Sequence, residues 1–307
     1  MATGFNLAGL SEYVNEHSQP IIRRSILEGK TISLIDIMPN VKHKSTINRI
    51  EGDLVILPGN CGFAPSGSTA LDQREMEVCP LKINEQYCAE DLTTKYVNTM
   101  LKAGHEDAIP FEAQLVDEKV QLIQDAIETL VWQGDTSSAS ASINKCDGFF
   151  KTLSGDTGVS TIVGYTGITQ ANAIALVDEM IDNIDVDVIN ANNLTIFMGF
   201  AEVRAYARAF RTLNRYNAQP INEDEGDQFR LVVDGTNVTI QGVKGLNGTG
   251  KAMLSPADNL VFGTDLLDES SKYVIKYDEF ENQVKAAAYW KMGVQAKWAR
   301  YVVVYNG

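Results

Sequence analysis

The stretch from Gly245 to Lys251 carries the pattern that comes nearest to a nucleotide site. Its sequence, GLNGTGK, matches the G-x-x-x-x-G-K part of a phosphate-binding loop, whose backbone amides and lysine contact phosphate oxygens. Ala252 follows the lysine where a Ser or Thr would hold magnesium, and Pro256 comes soon after, so no helix is predicted there. We interpret the stretch as a glycine-rich hairpin turn between strands. A nucleotide-binding enzyme that uses the Gly245–Lys251 loop stays open as an unfavoured alternative.

Acidic residues around 112–128 are the next group that could perform chemistry, as metal ligands or as an acid–base pair. No histidine follows any of them at the i+3 spacing that a helical di-iron site requires. We therefore predict that they form the solvated sides of a helix: Glu112, Asp117, Glu118, Asp125 and Glu128. The histidines, His17, His43 and His105, are too far apart for a zinc pattern. No catalytic, cofactor-binding or metal-ligating residue is predicted, and no cofactor is expected.

The cysteines, Cys61, Cys79, Cys88 and Cys146, contain no C-x-x-C pair. Four cysteines in 307 residues do not make a disulfide framework, so we expect reduced thiols. Cys61 is interpreted as an incidental thiol on an exposed loop. The sequence also lacks the G-x-S-x-G elbow of serine hydrolases.

Three arginines, Arg204, Arg208 and Arg211, recur at roughly helical spacing. The net charge of −14 argues against a nucleic-acid-binding stripe, because phosphate contacts are made mostly by Lys and Arg. We predict instead that these arginines pair with carboxylates of a neighbouring subunit. Trp290 and Trp298 are predicted to lie in a core or a subunit contact.

The acidic residues from 112 to 128 are predicted to lie on a helix over 110–133. Its apolar residues recur at steps of four and three, which predicts one continuous buried face: Val116, Val120, Ile123, Ile127 and Leu130. Such a helix would span roughly 36 Å at 1.5 Å per residue. Gly134 is predicted to end it in a left-handed conformation.

The segments before and after this helix are predicted to form other secondary structures. Residues 165–216 read as helix, strand and helix, with a strand near Leu194–Phe200, and residues 229–307 read mostly as strands. Residues 45–80 read as a long β-hairpin with a glycine-, proline- and serine-rich tip. Residues 1–44 read as an extended arm with a short helix near Leu7–Val14. We expect the arm and the hairpin to become ordered on something outside their own subunit, because neither has a core of its own.

Several local patterns, taken in order, resemble the major capsid proteins of tailed bacteriophages, whose fold is shared with herpesvirus shells and encapsulins. Glu75–Asp91 resembles the strand that leaves an extended loop, and Ile127–Thr136 resembles the end of a spine helix. Asp147–Phe150 resembles the entry into the next element, and Leu194–Leu213 resembles a strand and helix of an axial domain. Phe262–Asp265 and Ala287–Tyr305 resemble the closing strands.

The resemblance implies an α+β chain with a defined order of parts. These are an N-terminal arm (1–44), an extended β-hairpin loop (45–80), a peripheral domain with the spine helix (81–151), an axial α/β domain (152–255), return strands of the peripheral domain (256–296) and a C-terminal strand of the axial domain (297–307).

The resemblance also implies a structural role and not an enzyme. Subunits would assemble as pentamers and hexamers into an icosahedral head that encloses double-stranded DNA without sequence-specific binding. The hairpin loop would lie over a neighbouring subunit, and the arm would run under or beside another. Assembly would take place in the host bacterial cytoplasm, and the mature protein would reside in the virion without contacting a membrane.

Partners follow from the same resemblance. The arm is too short to contain a fused scaffolding segment, so a separate scaffold protein is expected, together with portal and head-decoration proteins. No Lys–Asn cross-link set can be matched to this sequence. The alternatives left open are an encapsulin-type nanocompartment shell, the nucleotide-binding enzyme above and a monomeric binding module.

Overall fold

The computed structural model describes residues 26, 29–59, 61, 66–88, 111–213, 229–265, 272–278, 280–281 and 283–307. The side chains of residues 111–116, 272, 275 and 277 lie outside this description. Two predictions also lie outside it: the short helix near Leu7–Val14 and the middle of the hairpin tip.

The longest helix, α1 (Phe111–Gln133), is the one predicted from its apolar periodicity. Val120, Ile123, Ile127 and Leu130 are buried, as expected, while the side chain of Val116 is not described. Gly134 does end the helix, but it is absent from the residues with positive φ, so the predicted left-handed conformation is wrong. Glycine is required there because a Cβ would collide with the carbonyl oxygens of Cys146 and Leu130.

One face of α1 packs on a sheet built around the long strand β12 (Gln283–Ala296). Strand β4 (Cys79–Cys88) pairs with β12 antiparallel along one edge, from Cys88 opposite Gln283 to Cys79 opposite Met292. Strands β10 (Leu260–Thr264) and β11 (Lys272–Asp278) pair with successive parts of the opposite edge. Strand β1 (Asp36–Met38) adds to β10 in parallel, so the described end of the arm completes this sheet.

A second sheet has the strand order β5-β13-β9-β6-β8-β7. Its strands are β5 (Ser160–Ile162), β6 (Leu194–Met198), β7 (Arg230–Val232), β8 (Thr239–Gly242), β9 (Ala252–Pro256) and β13 (Val303–Tyr305). Helix α2 (Phe149–Leu153) links α1 to this half of the molecule. The sequence also predicts a closing strand over Trp298–Tyr305, but the observed strand β13 is much shorter, because a 3-10 turn at Ala299–Tyr301 precedes it.

Two helices, α3 (Ala173–Asp182) and α4 (Phe200–Leu213), pack side by side against the second sheet. The apolar spacing of the sequence predicts Ile174, Val177, Ile181 and Ile184 on one inward face of α3, and this is only partly right. Val177 and Ile184 are buried, but Ile174 and Ile181 are half-buried and Leu176 and Met180 take the most enclosed positions. The helix–strand–helix order itself is as predicted, and the opposite face of the sheet contributes Phe197 and Met253 to the core around α1.

The hairpin consists of β2 (Lys44–Asp53) and β3 (Ser68–Glu77), which pair antiparallel over their whole length, from Lys44 opposite Glu77 to Asp53 opposite Ser68. The two strands form a sheet of their own and join neither of the others. Only Val78 separates β3 from β4, so the hairpin projects directly from the edge of the first sheet.

Candidate assembly surface

The base of the hairpin is fixed to the chain's own body by a stack of cations and aromatic rings. The guanidinium carbons of Arg49 and Arg300 each lie 5.0 Å from the centre of the Trp298 ring. Arg49 Nη1 also donates to the carbonyl of Lys297 at 3.2 Å, and Arg300 Nη1 pairs with Glu51 Oε1 at 2.8 Å. Because Arg49 and Glu51 belong to β2, these contacts join the hairpin to the segment that precedes β13.

A second attachment involves Arg74 of β3. Its Nη2 lies 2.7 Å from Asp156 Oδ2 and 3.0 Å from Gln295 Oε1. The Arg74 side chain is mostly buried, so solvent screens this ion pair less than a surface pair. Gly293 of β12 allows the base to come this close, because a Cβ there would collide with the carbonyl oxygen of Glu77.

Below these polar contacts lies a small apolar core. Met76 is buried among residues from the hairpin and the neighbouring sheet: Val41, Ile47, Val78 and Val261. The base of the hairpin is therefore ordered by its own subunit. This corrects the expectation that the whole of residues 45–80 becomes ordered only on other copies.

Beyond the base, the hairpin presents apolar side chains to solvent. Leu54 is 87% exposed and Ile56 is 96% exposed, and Val55 and Leu57 beside them are also exposed. Ile50 and Leu71 extend this apolar surface along the two strands. We call the six residues the hairpin tip surface. A run of consecutive exposed aliphatic residues is unusual on a monomeric soluble protein and is typical of an interaction surface.

The arm is also anchored on its own subunit where it is described. Ile26, Ile32 and Ile35 are buried in the core around α1. The backbone amide of Thr31 donates to Glu128 Oε1 at 2.6 Å, its hydroxyl donates to Glu128 Oε2 at 2.5 Å, and Trp132 Nε1 donates to that hydroxyl at 2.8 Å. The expectation that residues 1–44 lie on another subunit is thus wrong for residues 29–44, which fold on their own chain.

Glu128 also departs from its predicted role as a solvated side of α1, because only 4% of it is exposed. Burial raises the pKa of this carboxyl above its ordinary value, and the two hydrogen bonds from Thr31 oppose that rise. Asp117 and Glu118 are exposed as predicted, Asp125 pairs with Lys244 at 2.6 Å, and the side chain of Glu112 is not described.

Cys79 and Cys146 form a disulfide, which corrects the expectation of reduced thiols throughout. The bond joins the first residue of β4 to the loop after α1, across a sequence separation of 67 residues. Cys61 and Cys88 are free and exposed. Spacing did not predict the pair, because its two members meet only through the packing of α1 on β4 and β12.

The Gly245–Lys251 loop is not a hairpin turn, because β8 and β9 lie on opposite sides of β6 and do not pair with each other. Nor does it open a helix, since strand β9 follows it directly. A Cβ at Gly245 would collide with the Glu128 carbonyl oxygen of α1, and the Gly250 amide donates to the buried carboxylate of Glu202 at 3.1 Å. Gly245 therefore serves close packing, whereas Gly248 and Gly250 adopt positive φ, and a carboxylate of the chain takes an amide that a phosphate would need.

The three arginines that the sequence singled out lie on the exposed side of α4. We call Arg204, Arg208 and Arg211 the arginine patch. Of the two tryptophans, Trp290 is buried in the core around α1 and Trp298 forms the cation stack described above. Within the described residues no cluster of His, Cys, Asp or Glu is arranged to hold a metal ion. No helix in the same part of the chain is long and apolar enough to cross a membrane.

Comparison with known proteins gives matches by structure and none by sequence. No protein family profile and no curated protein sequence matches the chain. A chain of the satellite phage P4 procapsid, solved with its size-determination protein, matches with a TM-score of 0.63 at 11% identity, covering 94% of this chain and 90% of that chain. A chain from Gordonia phage Cozz matches with a TM-score of 0.57 at 12% identity, covering 91% and 86%.

A third match is a chain of a virus-like particle from Pyrococcus furiosus. Its TM-score is 0.55 at 9% identity, and the match covers 96% of this chain and 99% of that chain. Identities this low establish the fold alone. The chain therefore has the α+β fold of the tailed-phage capsid proteins, with the hairpin, the long helix and the helix–strand–helix order that the sequence predicted.

Proposed function

We propose that this chain is a major capsid protein, which assembles with copies of itself as pentamers and hexamers into an icosahedral shell. The observation that carries the proposal is the match of the fold over nearly the whole of this chain and of each capsid chain compared with it. An isolated domain of shared architecture would leave much of one chain unmatched. The role is structural, so no reaction is assigned to it.

The hairpin tip surface supports the proposal independently of the comparison. The base of the hairpin holds consecutive exposed aliphatic residues away from the body of the subunit. Exposed apolar surfaces of this kind are typical of sites that another molecule covers. In a shell, every copy makes this contact, so modest individual interfaces add up to a stable assembly.

The shell encloses double-stranded DNA in this proposal, without sequence-specific contacts. A net charge of −14 supports a wall that DNA does not adhere to, since few phosphate contacts can form. Assembly in the host bacterial cytoplasm with a separate scaffold protein, followed by addition of portal and head-decoration proteins, completes the proposed pathway to the virion.

Electron microscopy of the full chain after expression and purification tests the assembly. We expect closed shells or rings and sheets of capsomers, alone or with a co-expressed scaffold protein. A protein that stays a compact monomer at high concentration under both conditions contradicts the proposal.

An encapsulin-type nanocompartment shell is the second candidate, because the fold also matches a chain of a virus-like particle from Pyrococcus furiosus over 96% of this chain and 99% of that chain. The TM-score of that particle chain, 0.55, is below those of the phage P4 and phage Cozz chains, 0.63 and 0.57, so the nanocompartment is the weaker candidate. Identifying the contents of shells isolated from the native source separates the two. Nuclease-protected DNA supports the capsid, and a single co-purifying protein supports the nanocompartment.

A further inference from the structure

The two helices that pack on the second sheet, α3 and α4, carry charged patches of opposite sign. The arginine patch lies on α4, and two exposed aspartates one turn apart, Asp178 and Asp182, lie on α3; we call them the aspartate patch. In a chain with 40 acidic and 26 basic residues, three adjacent arginines are a local exception.

Within the part of the chain that the structure describes, the arginine patch has no counter-charge. Among the described residues, no carboxylate lies within 4.0 Å of any guanidinium nitrogen of the patch. By contrast, Arg49, Arg74 and Arg300 each form an ion pair with a carboxylate. Two of the three guanidiniums donate only to carbonyls one turn earlier on the same helix. Like charges three and four residues apart on a helix repel, so the patch lowers stability unless something outside neutralises it.

Arg208 and Arg211 line a shallow hollow together with Gln170 and Thr212. The Gln170 amide donates to the Thr212 hydroxyl at 3.1 Å, which joins the end of α4 to the segment before α3. Two guanidiniums beside an amide and a hydroxyl offer an excess of hydrogen-bond donors, which suits a carboxylate or another anion.

The aspartate patch is equally uncompensated. Neither Asp178 nor Asp182 makes an ion pair within the described part of the chain, whereas Asp185 and Asp187 nearby face Arg300. The pKa of Asp178 is raised, mainly because neighbouring atoms partly shield its carboxyl from water and secondly because Asp182 carries a like charge. This direction is expected for a carboxyl without a cationic neighbour.

We propose that the arginine patch of one copy pairs with the aspartate patch of the next copy around a ring. The proposal rests on the assembly proposed above and assigns a contact to it. A contact between two different patches of the same chain is head-to-tail, and such contacts form a ring when the rotation from one copy to the next closes after a whole number of copies. Each copy then gives one patch to each neighbour, which neutralises both throughout a pentamer or hexamer.

A phosphate group is the competing occupant, because guanidinium pairs also bind phosphate. The carboxylate is favoured for two reasons. A complementary aspartate patch of matching one-turn spacing is present on every copy, and the chain's net charge of −14 repels nucleic acid.

Charge reversal of the full-length protein tests the pairing. We expect Arg208→Glu/Arg211→Glu and Asp178→Arg/Asp182→Arg each to leave at least about tenfold more protein unassembled than wild type in sedimentation and negative-stain microscopy. The fourfold exchange, with glutamates at 208 and 211 and arginines at 178 and 182, restores the sign at every contact and recovers assembly. The control for Arg208→Glu/Arg211→Glu is Lys82→Glu/Lys145→Glu, which changes the net charge by the same amount at exposed lysines elsewhere. We expect its assembly to stay within about twofold of wild type.

The outcomes separate the two proposals. If wild type never assembles, the capsid function itself fails. If wild type assembles and the folded Arg208→Glu/Arg211→Glu variant assembles equally well, or if the fourfold exchange assembles no better than the double variants, only the pairing fails. Unassembled wild type that binds a short DNA duplex, with binding lost in Arg208→Glu/Arg211→Glu, identifies the arginine patch as a phosphate site and also overturns the pairing. Circular dichroism melting of each variant establishes that it folds.

Discussion

The two ends of the β2–β3 hairpin differ in what holds them. At the base, Met76 is buried, and Arg49 and Arg74 contact the body of the same subunit through an aromatic ring and an ion pair. At the tip, Leu54 and Ile56 have almost no contact with their own chain. The base therefore contributes to the stability of the isolated subunit, and the tip contributes to what the subunit binds. Substitutions at the two ends are expected to act on different quantities.

The largest effect is expected from the tip. Leu54→Asp/Ile56→Asp places two charges in a surface that assembly would bury, and burying an unpaired charge costs several kcal/mol. We expect assembly to be lost in electron microscopy and sedimentation, with the free energy of unfolding of the monomer within about 0.5 kcal/mol of wild type. Val163→Asp/Val186→Asp, at exposed apolar positions in the other half, is the control. Normal assembly of the tip variant would remove the tip from the interface.

Next is the disulfide at the start of β4, just beyond the base. A cross-link over 67 residues stabilises a chain by about 4 kcal/mol when it acts on the unfolded state alone. We expect Cys146→Ser, or reduction of wild type, to lower the free energy of unfolding by an amount up to that value. Cys88→Ser removes a free, exposed thiol and is the matched control. Equal stability of the oxidised and reduced proteins in denaturant titrations contradicts the expectation.

Within the base, Met76→Ala is expected to cost about 2–4 kcal/mol, because it leaves a cavity among Val41, Ile47 and Val261. Ile50→Ala, on the exposed part of the same hairpin, is expected to change the free energy of unfolding by less than about 0.5 kcal/mol. Urea titrations of the unassembled protein measure both. Similar values for the two variants would show that the base is no better anchored than the tip.

Arg74→Ala is expected to cost about 1–3 kcal/mol, since it leaves Asp156 and Gln295 without their shared donor. Arg74→Lys keeps the charge on a shorter and more flexible side chain, so an intermediate loss is expected. Hydrogen exchange provides a second readout: amides of β2 and β3 should exchange faster in Arg74→Ala, and those of α3 should not.

The smallest change in the free energy of unfolding is expected at Glu128. This residue binds Thr31, which belongs to the arm and not to the hairpin. Because its folded pKa lies above the ordinary value of 4.5, the folded state holds this proton more tightly than the unfolded state. Stability attributable to this group therefore falls as pH rises from about 4.5 through the raised pKa, and the loss is complete above it. Glu128→Gln should remove this slope while changing the free energy of unfolding at neutral pH by about 1 kcal/mol or less. An unchanged pH profile of unfolding in the variant contradicts this reading.

Apolar periodicity predicted the fold well where a single face decides the structure. The helix α1 and its buried residues followed from spacing alone, and so did the hairpin and the order of α3, β6 and α4. The orientation of α3 was less accurate, because its apolar residues cover more than one face and packing selects among them. The predicted domain boundaries remain predictions.

The polar contacts were beyond sequence reasoning, since each depends on residues distant in the chain. The sequence predicts Glu128 as a solvated residue of α1. In the structure it accepts hydrogen bonds from the amide and the hydroxyl of Thr31, which lies 97 positions away. Arg49 contacts Lys297 across 248 positions, and Cys79 meets Cys146 only because α1 packs beside β4. The arm and the hairpin base were assigned to neighbouring subunits for the same reason: their partners on their own subunit lie far along the sequence.

Strand β12 has a mechanical consequence for any shell built from this subunit. A tensile load on the hairpin enters the body through Val78 and runs along β4, whose hydrogen bonds to β12 lie across the direction of pull. Such a load shears every pair from Cys79–Met292 to Cys88–Gln283 at once and does not peel them apart one at a time. The sheet is thus loaded in its strongest direction, which suits a subunit of the shell proposed above.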